Sequence, residues 1–265
     1  PRSAHHQLSR RTPRPRTFAH RTVVLSIDEF TDLYEPELAL AAADLLEAAG
    51  WTPRVPRLGP SGRTWLSKGF VRDARRRIDA LLDSIAPLLD SVDAIVGIEP
   101  SAVLTLVDEA TDLQHDPERR ALAERIAERV RLLPDFLVEA AENGRMSARF
   151  TDEERKVILH GHCHQKALVG IDGTRRALEL PAHWSVRVLP TGCCGMAGSF
   201  GYERDHFDTS MAIGELVLFP AVREAATDTL LVAPGTSCRH QIADGTGRRA
   251  VHPVIALRAA LVCEA

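Results

Sequence analysis

Trp184-Ser185-Val186-Arg187-Val188-Leu189-Pro190-Thr191-Gly192-Cys193-Cys194-Gly195 is the stretch on which the reading of the fold turns. Its first half, Ser185 to Leu189, has strand character, and its second half sets two adjacent cysteines between glycines just past the strand's end. Adjacent cysteines do not readily bond to each other, because a disulfide needs Cα atoms about 4.4–6.8 Å apart and chain neighbours are about 3.8 Å apart. Two thiolates presented to one metal centre suit this pattern better. The flanking glycines can take positive φ and let the backbone approach a bulky inorganic group.

The same stretch exposes an internal repeat. At one constant spacing Trp51 matches Trp184, Arg54 matches Arg187, Val55 matches Val188, Gly59 matches Gly192, Gly62 matches Gly195 and Pro87 matches Pro220. With small length changes, Val23-Val24-Leu25 aligns with Val157-Ile158-Leu159, and Pro100-Ser101-Ala102 with Thr236-Ser237-Cys238. Pro60-Ser61 stands where the second copy has Cys193-Cys194, Ala102 stands for Cys238, and near the place of Cys163 the first copy offers only Asp28-Glu29. The first copy is thus expected to be a structural repeat without the cysteine ligands.

Working outward, Thr22 to Ile27 reads as a strand, Pro36 to Ala49 as a helix closed by Gly50, and Trp51 to Val55 as a second strand. Phe70 to Leu89 follows as a helical stretch broken near Pro87, then Asp93 to Ile98 as a third strand. Alternation of this kind predicts an α/β fold of two repeated units with mostly parallel sheets. The boundaries expected are a basic tail or linker over 1–21, a first unit over 22–105, a helical connector over 106–155 and a second unit over 156–265. Residues 1–21 hold six arginines and three histidines and no acidic residue, which fits a mobile tail, with an electrostatic docking arm as the alternative.

A net charge of −3 and 5% aromatic residues give no reason to expect a nucleic-acid partner. No apolar run reaches the length of a transmembrane segment and no signal core is present, so a cytoplasmic protein is expected. In that reducing setting five cysteines read as metal ligands or reactive thiols rather than as disulfides. Cys263 reads as a bystander.

Cys163 follows the strand at Val157 to Leu159, Cys193 and Cys194 follow Ser185 to Leu189, and Cys238 follows Leu230 to Ala233. In a parallel sheet the carboxyl ends of the strands share one edge, where ligands gather. Four thiolates there suit an iron–sulfur cluster or tetrahedral zinc, and a reactive-thiol site is a third option. His160, His162 and His164 are expected to alternate along an extended segment, in supporting roles rather than as ligands. Lys166, Arg239 and His240 are candidates for binding an anion or tuning the site.

The motifs His162-Cys163-His164-Gln165, Gly192-Cys193-Cys194-Gly195-Met196-Ala197-Gly198-Ser199-Phe200-Gly201 and Ser237-Cys238-Arg239-His240-Gln241-Ile242 resemble the cysteine-rich CCG domain of heterodisulfide reductase B subunits and glycolate oxidase iron–sulfur subunits. Together with Gly214-Glu215-Leu216-Val217-Leu218-Phe219-Pro220, they look most like the iron–sulfur part of FAD-linked oxidases of the D-2-hydroxyglutarate and D-lactate dehydrogenase type. The resemblance implies an electron-transfer module with an iron–sulfur cluster, [4Fe–4S] in the simplest case, held by Cys163, Cys193, Cys194 and Cys238. It also implies FAD in a separate dehydrogenase domain or subunit, and a ferredoxin-type iron–sulfur domain as a further partner. The family's last element is commonly Cys-x-x-Cys; here Gly235 takes the earlier position. A zinc-binding or scaffold domain without redox activity is the alternative.

Overall fold

The computed structural model describes residues 2–12 and 21–262, and the chain divides into two compact units between Arg149 and Phe150. In the first, strands β1 (Thr22–Ser26), β2 (Thr52–Arg54), β3 (Ala94–Gly97) and β4 (Val130–Leu132) form a parallel sheet in the order β2-β1-β3-β4. Val23-Val24-Leu25 and Ala94 to Val96 are buried throughout, as expected of parallel strands covered on both faces. The helix Pro36–Ala49 opens on a proline, which has no N–H to leave unpaired. Gly50 at φ 101° ends it, its N–H bonding Glu47 O while the Trp51 N–H bonds Leu46 O. Further on, the helix Val71–Ile85 buries Ala74, Ile78, Leu81, Leu82 and Ile85 at helical spacing and passes at Pro87 into a 3-10 turn, Ala86–Ser91.

Trp51 is 3% exposed, edge-on to Phe136 at 5.0 Å between ring centroids. The guanidinium groups of Arg21 and Arg145 lie 5.3 and 5.5 Å from the centre of its ring.

Two segments depart from the expected boundaries. Residues 106–149 are no separate connector: after the helix Pro117–Ala127, capped by Asp116, the chain supplies β4 to the first sheet, and Pro134 lies in the first turn of the helix Leu133–Glu142. Residues 2–12 are packed rather than tail-like. Ser3 caps a short helix, Ala4–Leu8, whose Ala4 is fully buried, His5 bonds Asp32, and Arg11 pairs with Glu47 and Asp44.

The second unit holds β5 (Arg155–Leu159), β6 (Trp184–Val188) and β7 (Leu230–Val232), parallel and in the order β6-β5-β7. This is the order of β2-β1-β3, and the registers agree with the sequence repeat. Val24 pairs with Arg54 and Ile95, and its counterpart Ile158 pairs with Arg187 and Leu231. The two α/β units with parallel sheets read from the sequence are therefore present. Past the cysteine loop, Glu203 lies between two 3-10 turns, Phe200–Tyr202 and Arg204–His206, Asp205 lies in the second, and helix proper runs over Phe207–Leu216 and, after Val217, Leu218–Glu224. Phe219, fully buried, fills a slot between Gly214 and Gly245, where an added Cβ would come within 2.3 and 2.2 Å of its ring. No helix among the described residues is long and apolar enough to cross a membrane.

Candidate metal centre

Three chain segments leave the carboxyl ends of β5, β6 and β7 and converge. From β5 the chain continues extended through His160, whose N–H bonds Val232 O at 2.9 Å, to His162, which precedes the helix Cys163–Leu168. Cys163 and His164 are thus helical, which corrects the expected alternation along an extended strand. After β6 come Thr191, Gly192, Cys193 and Cys194. Beyond β7, Gly235 precedes the helix Thr236–Thr246, placing Cys238 in its first turn, where the helix dipole favours a thiolate.

The four thiols stand in a row, Cys163 against Cys193, Cys193 against Cys194, and Cys194 against Cys238. Cys194 and Cys238 are buried and Cys163 and Cys193 half-buried. Hydrogen bonds from the neighbouring thiols Cys163 and Cys194 hold Cys193 well below the ordinary thiol range, with further help from the backbone N–H groups of Gly195 and Ala197. Cys238 is lowered chiefly by the Cys194 thiol, against the effect of its burial. The donors in these bonds, Cys163 and Cys194, are raised. Thiols this close share their protons, so the four titrate together rather than one by one.

The loop is built around its glycines. Gly195 has φ 105°, and a Cβ on it would sit 2.1 Å from Ser210 O; its N–H donates to Cys193 Sγ at 3.3 Å. Below it, Gln241 Nε2 donates to Ser210 O at 3.0 Å, tying the helix that bears Cys238 to the helix Phe207–Leu216. Lys166 Nζ donates to the carbonyls of Thr191 and Gly192, clamping the approach to Cys193. Arg239, 7% exposed, donates to Ala233 O and Pro234 O at the end of β7. Both cations hold the loops of the site. His240 is exposed and shares a hydrogen bond with Tyr202.

His160 is where the structure adds most to the sequence reading. It is 2% exposed, and one ring nitrogen lies within 4.8 Å of the sulfurs of both Cys194 and Cys238, which are themselves that close to each other. Its place one residue beyond an apolar strand was the available signal; the alternation of three histidines obscured it. Cys263 lies outside the described residues.

In the first unit the corresponding strand ends carry a different chemistry. Asp28 caps the helix Glu29–Leu33, accepting from the N–H groups of Phe30 and Thr31 and from Thr31 Oγ1. Glu29 accepts from both Ser61 N and Ser61 Oγ, and Glu99 accepts from Ser101. Ser61 is thus engaged rather than idle. Burial, with the nearby Glu99 charge adding to it, pushes the Asp28 carboxyl up to about 6.

No family model matches the chain. Curated relatives do. The D-2-hydroxyglutarate dehydrogenase of Escherichia coli (strain K12) is 30% identical over 241 residues, 89% of this chain and 22% of that protein. A subunit of the anaerobic glycerol-3-phosphate dehydrogenase of the same organism is 34% identical over 106 residues, 40% of this chain and 26% of that subunit. Lactate utilization protein A of Exiguobacterium sp. is 25% identical over 196 residues, 71% of this chain and 77% of that protein. These homologues agree with the CCG-domain resemblance of the cysteine motifs, and they make this chain a relative of dehydrogenase-associated proteins. It spans about a fifth of the length of the D-2-hydroxyglutarate dehydrogenases it matches. Among solved structures, a LacI family regulator from Arthrobacter sp. FB24 aligns over 81% of this chain and 76% of its own at 18% identity and a TM-score of 0.24, too low to bear on the fold.

Proposed function

We propose that the chain is the iron–sulfur electron-transfer module of a flavin-linked 2-hydroxyacid dehydrogenase. The observation that carries this is the row of four neighbouring thiols supplied by the three segments that follow β5, β6 and β7. The donor set fits a soft metal centre: thiolates are its preferred ligands, and Gly195, with no Cβ, lets the cysteine loop seat closely against Ser210. Cys163, Cys193, Cys194 and Cys238 would hold a cluster, with [4Fe–4S] the simplest form. Such a cluster, when bound, supplies one-electron transfer between a reduced flavin and a later acceptor.

The protein's own groups set the conditions for that transfer. Cys194 and Cys238 are shielded from water, while Cys163 and Cys193 are only half-buried. Arg239, buried, holds the carbonyls of Ala233 and Pro234 that lead into the helix of Cys238. Lys166 fixes the loop carbonyls just ahead of Cys193. The flavin belongs to an FAD-containing domain or subunit, and a ferredoxin-type iron–sulfur domain is the expected neighbour in the relay, which runs in the cytoplasm.

Metal and acid-labile sulfide analysis of protein purified without oxygen, with electron paramagnetic resonance after reduction, tests this reading. Iron, sulfide and a reduced-cluster signal are expected; stoichiometric zinc with no signal would replace the relay with a non-redox zinc domain. With D-lactate or D-2-hydroxyglutarate and a dye acceptor, turnover is expected only when the cognate flavoprotein is added. Turnover by the chain alone would refute the relay.

A further inference from the structure

His160 is more than a neighbour of the cysteines. Its Nδ1 lies 2.7 Å from Thr191 Oγ1, so one ring nitrogen is already engaged and the ring's orientation is set. Its Nε2 is buried and makes no hydrogen bond of ordinary geometry, a costly state for a polar atom unless something else occupies it. The ring stands within 4.8 Å of the sulfurs of Cys194 and Cys238, and all three residues are buried. An imidazole oriented through one nitrogen by a hydroxyl, with the other nitrogen buried and unpaired and two cysteine sulfurs beside the ring, has the arrangement of a metal ligand and its supporting hydrogen bond.

A second observation bears on the same point. Gly235, where the resembled family commonly has a cysteine, cannot carry a side chain here: a Cβ would lie 2.4 Å from His162 Cδ2 and 3.2 Å from Cys238 Sγ. The His162 ring fills the space a donor at 235 would need. Any further donor beside Cys238 must therefore come from another segment; His160 and His162 are both buried there, and of the two it is His160 that brings a ring nitrogen within 4.8 Å of both sulfurs.

We propose that Nε2 of His160 is a direct metal ligand, completing with Cys194 and Cys238 a mixed nitrogen–sulfur set, while His162 packs over Gly235 without coordinating. This rests on the site being a metal centre, but not on the metal being an iron–sulfur cluster. Thr191 is then a positioning residue acting through His160.

Cobalt(II) alone, added without oxygen to metal-free protein, tests the assignment independently of any redox activity. X-ray absorption at the cobalt edge is expected to show imidazole scattering alongside sulfur in the wild type and in His162→Asn. His160→Asn should lose the imidazole contribution and bind cobalt at least about tenfold more weakly. Thr191→Val should keep the imidazole and lose about 10–100-fold in affinity, the usual effect of removing a ligand's supporting hydrogen bond. A sulfur-only shell in the wild type, or imidazole scattering that persists in His160→Asn, would overturn the inference while leaving a thiolate centre standing. A wild-type protein that takes up no cobalt would overturn the metal-centre reading and this inference together. Near-ultraviolet circular dichroism guards against a variant that has merely failed to fold, and the wild-type spectrum decides the question even then.

Discussion

Replacing Asp28 by asparagine should stabilise the first unit at neutral pH and abolish a pH dependence that the wild type carries. Asp28 is 8% exposed, and burial is the main reason its carboxyl is raised to about 6 from an ordinary value of 3.8. The folded state therefore binds this proton more tightly than the unfolded chain does. Its contribution is neutral below about pH 4, where both states are protonated. It becomes destabilising as pH rises from about 4 to about 6, and is flat above that. The shift corresponds to about 3 kcal/mol at pH 7.5. Asparagine keeps the cap: its oxygen can still accept from the Phe30 and Thr31 N–H groups, and its amide can donate to Thr31 Oγ1. Urea unfolding of wild type and variant at a series of pH values from 4 to 8 gives the difference directly, with carboxylates remote from Asp28 cancelling and Glu99, whose charge bears on it, contributing to the difference. The expected difference is near zero at pH 4 and approaches about 3 kcal/mol in favour of Asp28→Asn by pH 7.5. Parallel pH profiles, or a variant less stable than wild type at pH 7.5, would show that Asp28 is held ionised by its hydrogen bonds rather than penalised by burial.

Trp51→Ala should cost about 3–5 kcal/mol, as for other buried aromatic truncations, and an unchanged melting temperature would remove Trp51 from the core of the first unit. Gly195→Ala should lose both metal loading and thermal stability, since the residue combines φ 105° with a Cβ placed 2.1 Å from Ser210 O; metal per chain and a melting curve read both, and full loading would mean the loop can re-form without that approach. Cys193→Ser or Cys194→Ser should sharply reduce metal content, while Cys263→Ser leaves it unchanged, and the reverse result would reassign the ligands.

The architecture was legible because its signals were redundant. β1 and the second half of β5 are apolar runs, the helix Pro36–Ala49 has proline at its start and glycine just past its end, and the repeat fixes the same order and register twice. β4 escaped because three residues, Val130 to Leu132, are too few for any period to show beside a helix rich in arginine and glutamate. The packing of residues 2–12 escaped because a short basic stretch reveals nothing of the carboxylates, Asp32, Asp44 and Glu47, that wait elsewhere in the chain. At the site, the cysteines announced themselves by their rarity and glycine neighbours. His160 differs from His162 and His164 only in where its ring ends up, and that depends on the strand end, Thr191 and the helix of Cys238 meeting in space. Lys166 and Arg239 looked like anion-binding candidates because sequence shows a charge and not the carbonyls that receive it.

The Phe219 slot makes the second unit a timekeeper of its own opening. The ring is pressed between Gly214 and Gly245; Gly245 sits on the helix that carries Cys238 in its first turn, while Gly214 sits on the helix whose Ser210 is bound by Gln241. An aromatic ring so confined can turn over about its axis only when its walls separate. Its flip rate, read from the line shapes of its ring protons, is thus a measure of how often the floor beneath the cysteine loop comes apart.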